Sequence, residues 1–164
     1  MKNKKFIFDL DYTLYSPITY PEDVYYSNYD KFYEDLKSDS DLGKLLKTTK
    51  HNYIFTNAGQ EHMELCLKKM RIKSHFKNTI YNDLYNYKYK PDPVVYKLAI
   101  DKFKLKDDDT IFFFEDLAEN LKTAKALGWK TVFLDHHNKM KKKPKYIDYK
   151  FDNIYDAIKF VQKL

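Results

Sequence analysis

The sequence predicts a three-layer α/β fold, a mainly parallel sheet with helices on both faces, in a single domain covering residues 1–164. Three observations lead there. Strand-like and helix-like segments alternate along the chain, the order that crossover connections impose on parallel strands. Two strand candidates, Phe6-Ile7-Phe8 and Ile111-Phe112-Phe113-Phe114, are apolar without alternation, as strands covered on both faces must be. Several of these runs stop abruptly at carboxylates or hydroxyls, which places reactive oxygens at the strand ends where open α/β sheets gather their ligands.

Taken in order, Lys4 to Asp9 reads as the first strand, and Pro17 and Pro21 make the following stretch an irregular loop. Tyr25 to Leu36 and Leu42 to Thr48 have the spacing of short helices, the first with Tyr29, Phe32, Tyr33 and Leu36 on one side. Asn52 to Phe55 is a second strand, stopped by Thr56-Asn57-Ala58-Gly59, and Gln60 to Met70 a helix with Met63, Leu67 and Met70 on one face. Thr79 to Tyr81 reads as a short strand, with a polar, Tyr-rich loop running on to Lys90. Asp92 caps the next helix and Pro93 opens it, carrying it to about Phe103. Ile111 to Phe114 is a central strand and Leu117 to Leu127 a helix stopped by Gly128. Thr131 to Leu134 is another strand, and Asn153 to Val161 a terminal amphipathic helix.

Composition narrows the classes. The hydrophobic share of 43%, with 16 tyrosines, supports a folded globule rather than a disordered chain. Cys66 stands alone, so no internal disulfide exists. Its place in the Met63, Leu67, Met70 pattern reads as a buried structural thiol in a reducing compartment. No run approaches the roughly 20 apolar residues of a membrane span, and Asp9 and Asp11 interrupt the first apolar run too early for a signal peptide. The expectation is a soluble cytoplasmic chain with no membrane partner. A net charge of +6 favours anionic ligands, although a Lys-rich composition alone gives the same balance.

The chemistry centres on Asp9, Asp11 and Thr13, which close the first strand. Asp9, Asp11, Thr56 and Asp116 all fall just after strands, so one topology brings them to a common edge. Each has a plainer reading alone: two solvated carboxylates, a Thr56-Asn57 helix cap, an Asp116 cap ahead of Leu117, and, for Lys90, one surface cation among 30 basic residues.

Together, Phe8-Asp9-Leu10-Asp11-Tyr12-Thr13-Leu14-Tyr15, Phe55-Thr56-Asn57-Ala58, Lys90-Pro91-Asp92-Pro93 and Phe114-Glu115-Asp116 resemble the four ordered motifs of the haloacid dehalogenase superfamily. The first two are most similar to pyrimidine 5'-nucleotidase-like phosphatases, and Phe-Glu-Asp also resembles the beta-phosphoglucomutase-like branch. The resemblance implies a Rossmann-like sheet and a nucleophile at Asp9 that forms an aspartyl-phosphate. It assigns general acid and then base to Asp11, whose presence favours phosphoryl transfer over dehalogenation. It also implies Mg²⁺ held by the Asp9 side chain, the Asp11 carbonyl and Asp116, with Glu115 the adjacent candidate. Lys90 would meet the phosphate charge, and Thr56 and Asn57 would hold phosphate oxygens.

The relatives carry a helical cap between the first two motifs. Here that insertion shrinks to residues 16–40, a minimal cap leaving the site open. Tyr12 stands where the family often has a small or polar residue, and Leu117 replaces a small residue after the acidic pair. Tyr15, Tyr20, Tyr25, Tyr26 and Tyr29 offer either a platform for a base or cover for the core. Asp135-His136-His137-Asn138 reads as a loop rather than a metal site. Lys139, Lys141, Lys142, Lys143 and Lys145 read as a solvated run, with nucleic-acid contact a weaker option.

The expected activity is Mg²⁺-dependent hydrolysis of a small phosphorylated metabolite, a nucleoside 5'-monophosphate foremost. The alternatives are a phosphatase for a phosphorylated protein or nucleic-acid end, and a non-catalytic phosphate-binding module. No sequence feature speaks to oligomeric state.

Overall fold

The computed structural model describes residues 3–18, 29–84 and 88–164. Its strands are β1 (Lys4–Phe8), β2 (Asn52–Phe55), β3 (Phe76–Ile80), β4 (Thr110–Glu115), β5 (Lys130–Leu134) and β6 (Tyr149–Phe151). Its helices are α1 (Tyr29–Asp35), α2 (Ser40–Thr48), α3 (Gln60–Lys69), α4 (Pro93–Phe103), α5 (Ala118–Ala126) and α6 (Ile154–Gln162).

The six strands form one sheet in the order β3-β2-β1-β4-β5-β6, and every pairing is parallel. Phe8 lies beside Ile54 on one flank and Phe114 on the other, so β1, β2 and β4 end at the same level. The chain runs outward from β1 through β2 to β3, then returns to the far side of β1 with β4. The reversal between β1 and β4 is the switch point at which doubly wound sheets bind ligands.

Strand alternation divides the core in two. Phe6, Phe8, Ile54, Phe112, Phe114 and Val132 face α2, α3 and α6, while Ile7, Phe55, Phe113 and Phe133 face α4 and α5. Phenylalanines pair across β1 and β4, Phe8 on Phe114 with ring centres 4.5 Å apart and Phe6 on Phe112 at 5.8 Å. This is why the continuous apolar runs were required: each strand supplies both layers.

Local signals explain the helix ends. Asp92 accepts a hydrogen bond from Val94 N at 2.9 Å with Pro93 in the first turn, the cap the sequence predicts for α4. Asp39 caps α2 through Leu42 N and Asn153 caps α6 through Asp156 N. Gly128, at φ 81°, follows the end of α5.

Three expectations need correction. β1 ends at Phe8, which leaves Asp9 just beyond the ladder. The strand expected at Thr79–Tyr81 runs from Phe76 to Ile80, because Phe76 and Asn78 already pair with β2 despite their polar neighbours. β6 was missed; three residues at a sheet edge carry too little periodicity to register. The helix expected from Tyr25 begins at Tyr29 within the described residues, and Tyr25 itself lies outside them. The proposed cap interval, 16–40, also falls partly outside, at 19–28. Among the described residues between β1 and β2 there are only α1 and α2, and α2 belongs to the core layer through Leu42 and Leu46. The fold is therefore the three-layer, minimally capped sheet the sequence predicts.

Phe113 is fully buried where rings from β2, α4 and Trp129 meet it. Phe113→Ala should lower the unfolding free energy by about 3–5 kcal/mol in urea titration. Val94→Ala, at a half-exposed site, should cost within about 0.5 kcal/mol.

Candidate functional site

The carboxyl ends of β1, β2 and β4 carry Asp9, Thr56 and Glu115, and the loop before α4 brings Lys90 beneath them. Lys90 Nζ donates to Asp9 Oδ1, Glu115 Oε2 and the Phe55 carbonyl, each at 2.7 Å. The ammonium group is enclosed and also lies 5.1 Å from the Phe55 ring centre and 5.3 Å from that of Phe113. Its three protons are thus all used, which is how a buried ammonium becomes tolerable.

Lys90 is placed by its backbone. Asn57 Oδ1 accepts from Lys90 N at 2.8 Å, and Asn57 Nδ2 donates to the Lys90 carbonyl at 3.1 Å. The Asn57 side chain therefore grips the lysine segment rather than capping a helix. Thr56 Oγ1 accepts from Ala58 N at 3.0 Å, a local turn. Gly59 is instead the N-cap residue of α3, and Asp83 accepts from Gln60 N at 2.9 Å.

Glu115 holds more partners than the sequence suggests. Besides Lys90, its Oε2 accepts from Asn120 Nδ2 at 2.9 Å, and its Oε1 from the N–H groups of Asp116 and Leu117 at 3.1 and 3.0 Å. The plainer reading of Asp116 as a helix cap does not hold: Leu117 is the N-cap residue of α5, with no side-chain cap of its own. The β4 strand continues through Glu115, so the helix begins one residue too late for Asp116 to fold back on it. Asp116 lines the cleft instead.

Asp9, Glu115 and Asp116 each present a carboxylate oxygen within 4.8 Å of the others. Three acids share one lysine. Burial, reinforced by the Glu115 charge, pushes Asp9 up to about 7 against the pull of Lys90. Burial and the charges of Glu115 and Asp9 push Asp116 up to about 9. Burial would lower the Lys90 pKa, yet Asp9 and Glu115 together hold it above the usual lysine range. The cluster thus carries negative charge that one ammonium does not balance, and its donors are all hard oxygens. That is the chemistry of a divalent-cation site.

Asp11 belongs to a second network. Its Oδ1 accepts from the Tyr15 hydroxyl at 2.5 Å and lies 2.7 Å from His62 Nε2. Burial raises its pKa, but the His62 and Tyr15 contacts outweigh this and leave the carboxylate below its ordinary value. Thr13 Oγ1 donates to Asp9 Oδ2 at 3.4 Å. Between them Tyr12 adopts φ 58°, the left-handed region, where a Cβ costs roughly 1–2 kcal/mol. The Tyr12 ring meets Tyr15 edge-on and its carbonyl contacts His136 Nε2.

The cleft above these groups measures about 330 Å³, with Tyr12, Leu117 and Asn120 on its walls. A wider groove of about 820 Å³ along α3 is lined by exposed charges such as Glu61, Lys68 and Arg71 and holds no such cluster. The structure thus brings together Asp9, Asp11, Thr56, Asn57, Lys90, Glu115 and Asp116. His62 and Asn120 are additions that sequence reasoning missed. His62 and Cys66 do share a helix face at four-residue spacing, the one available signal. His136 and His137 lie in a short 3-10 turn, as expected of a loop. Of the expected tyrosine platform, Tyr20, Tyr25 and Tyr26 lie outside the described residues, and Tyr15 is turned onto Asp11.

A profile of haloacid dehalogenase-like hydrolases matches residues 22–134. The chain belongs to this family. The haloacid dehalogenase-like fold recurs in solved structures at low identity. A Thermotoga maritima protein assigned as a beta-phosphoglucomutase superposes with a TM-score of 0.73 at 16% identity, over 99% of each chain. Rhodobacter sphaeroides CbbY in complex with phosphate gives 0.66 at 14% identity, over 96% of each. A dehalogenase with an intermediate complex gives 0.60 at 19% identity, covering 74% of this chain and 55% of its own. The chain therefore spans little more than half the length of that dehalogenase. No described helix is long and apolar enough to cross a membrane.

Unfolded aspartates titrate near 3.8, well below the folded values of about 7 for Asp9 and about 9 for Asp116. The folded chain then binds the extra protons, so its stability falls as pH rises from the unfolded value through each folded one. In chelator the melting temperature should fall between pH 7 and pH 9, the Asp116 window. A divalent cation should raise it more at pH 9 than at pH 7. A flat or rising profile in chelator would contradict the charge imbalance.

Proposed function

We propose that this hydrolase cleaves phosphomonoesters through an aspartyl-phosphate on Asp9. The observation that carries the reading is the buried Lys90 bridge, which fixes Asp9 at the mouth of a cleft with a second, independently held carboxylate, Asp11, two residues away. A carboxylate pair with one cation suits attack on phosphorus followed by proton transfer. Binding phosphate alone would need neither a nucleophile nor an acid.

Asp9 attacks phosphorus while Asp11, after first taking up a proton from solvent or through its His62 contact, passes it to the departing alkoxide. Asp11 then takes a proton from the water that hydrolyses the acyl phosphate. His62 and Tyr15 hold Asp11 in place throughout. Lys90 keeps Asp9 oriented and offsets charge at the ester, while Thr56 and the Asn57 N–H stand where phosphate oxygens would lie. Asp9, Glu115 and Asp116, with the Asp11 carbonyl, would hold Mg²⁺, whose charge when bound lets a dianionic phosphate approach a carboxylate.

The cleft of about 330 Å³ suits a small phosphorylated metabolite, and a nucleoside 5'-monophosphate is the first candidate. Leu117, 59% exposed at the rim, offers an apolar contact to the ester's organic part. The exposed lysines from Lys139 to Lys145 supply an anionic-partner surface only of a general kind.

The test is phosphate release from an aryl phosphate and a panel of nucleotides and sugar phosphates, with and without Mg²⁺, beside halide release from a 2-haloacid. Metal-dependent phosphate release is expected. Halide release without phosphate release would overturn the reading. Asp9→Asn should lower turnover by at least about 10³-fold with the melting temperature maintained. Asp11→Asn should cost about 10²–10⁴-fold on an alkyl phosphate, whose leaving group needs a proton, and much less on a nitrophenyl ester.

A further inference from the structure

The carboxylate that serves as acid in this reading has a second set of neighbours. Asp11 Oδ1 lies 2.7 Å from His62 Nε2, and Cys66 Sγ lies 3.5 Å from that nitrogen. Ligand atoms of all three residues fall within 4.8 Å of one another. His62 and Cys66 are one turn apart on α3 and so face the same way. Asp11 enters from the end of β1.

We propose that Asp11, His62 and Cys66 form a site for one thiophilic dication of the Zn²⁺ class, separate from the carboxylate trio, and that its occupancy withdraws Asp11 from the reaction. The second half rests on the role given to Asp11 above; the first does not. Zn–N and Zn–S bonds near 2.1 and 2.3 Å in a tetrahedron set ligand atoms about 3.3–3.6 Å apart. The Cys66–His62 separation already falls there, and the His62–Asp11 pair, at 2.7 Å, needs to open by roughly 0.6–0.7 Å.

The surroundings also suit a metal of this kind. His62 Nδ1 lies 2.8 Å from the Tyr33 hydroxyl, the outer partner that orients a ligating imidazole. The Phe32 ring stacks on His62 at 5.8 Å and 25°. Tyr15 remains on Asp11. The Asp11 and His62 side chains are 35% and 24% exposed, so the ion has a way in, while Cys66 forms the buried floor. A sulfur donor selects against Mg²⁺, which prefers oxygen alone. On binding, the Cys66 thiol loses its proton to solvent. The imidazole proton that faces Asp11 leaves Nε2 and, by exchange with solvent, is replaced by one on Nδ1 directed at Tyr33, so that the neutral ring offers its Nε2 lone pair. One proton is released per ion.

The full-length, reduced chain is titrated with Co²⁺ in excess Mg²⁺, which fills the all-oxygen cluster. A near-ultraviolet thiolate-to-cobalt charge-transfer band at one equivalent is expected, abolished in Cys66→Ser. Tyr33→Phe should weaken Zn²⁺ affinity about 10–100-fold in competition dialysis, and His62→Asn more. His62→Asn is the partner variant should Cys66→Ser fail to fold, as judged by its melt. Turnover in Mg²⁺ should fall on adding Zn²⁺ and return with chelator, and the ratio of turnover with and without Zn²⁺ should approach one in His62→Asn. A cobalt spectrum lacking the band, or a band that survives Cys66→Ser, overturns the site. If the band follows Cys66 and His62 yet no phosphate ester is hydrolysed, the reaction assignment fails and the metal site stands.

Discussion

The Lys90 ammonium is the constraint on which the site depends. It ties the ends of three adjacent strands, through Asp9 after β1, the Phe55 carbonyl of β2 and Glu115 of β4. Taking such an ion out of water costs several kcal/mol, and only a full set of short contacts returns it. Each acceptor lies in or directly after a strand already fixed by its neighbours. The sheet therefore determines where the lysine sits, and the lysine determines which Asp9 oxygen is engaged and which side remains open to the cleft.

That arrangement leaves a deficit of positive charge. A single ammonium faces Asp9, Glu115 and Asp116, and burial with the neighbouring carboxylates pushes Asp9 up to about 7 and Asp116 up to about 9. A carboxylate half-protonated at neutral pH is a poor nucleophile. In the proposed reaction Asp9 would therefore be ready only when further positive charge arrives, which would couple reactivity to occupancy by a dication. Glu115 and Asp116 divide the work: Glu115 spends its oxygens on Lys90, Asn120 and two backbone N–H groups, while Asp116 is the acid left facing the cleft.

Most of this was legible because it depends on strand ends. Continuous apolar runs at Phe6–Phe8 and Ile111–Phe114 gave buried parallel strands, and whatever follows such a strand falls at one edge. The Asp92-Pro93 start of α4 and Gly128 after α5 were legible for an equally local reason, since a cap is written in adjacent residues. What resisted reading depends on partners far apart in sequence. Asn57 was assigned to phosphate or to a cap, yet its side chain grips Lys90, 33 residues on. Asp116 looked like a cap because Leu117 reads as a helix start, and the one-residue continuation of β4 removed that role. β6 carries three residues, too few for any period, and is recruited by the neighbouring β5.

His62 was the least legible group and separates the two carboxylates most sharply. Asp9 is held by the sheet, through Lys90 and Thr13. Asp11 is held by the helical layer, through His62 on α3, with Tyr33 and Phe32 of α1 behind the imidazole. Among the described residues it is the short helix α1 that reaches the histidine. Asp9 and Lys90 are consequently independent of small movements of α1, whereas Asp11 is not. In the proposed reaction, an ion or ligand that shifts His62 would change proton transfer at Asp11 while leaving Asp9 and Lys90 undisturbed.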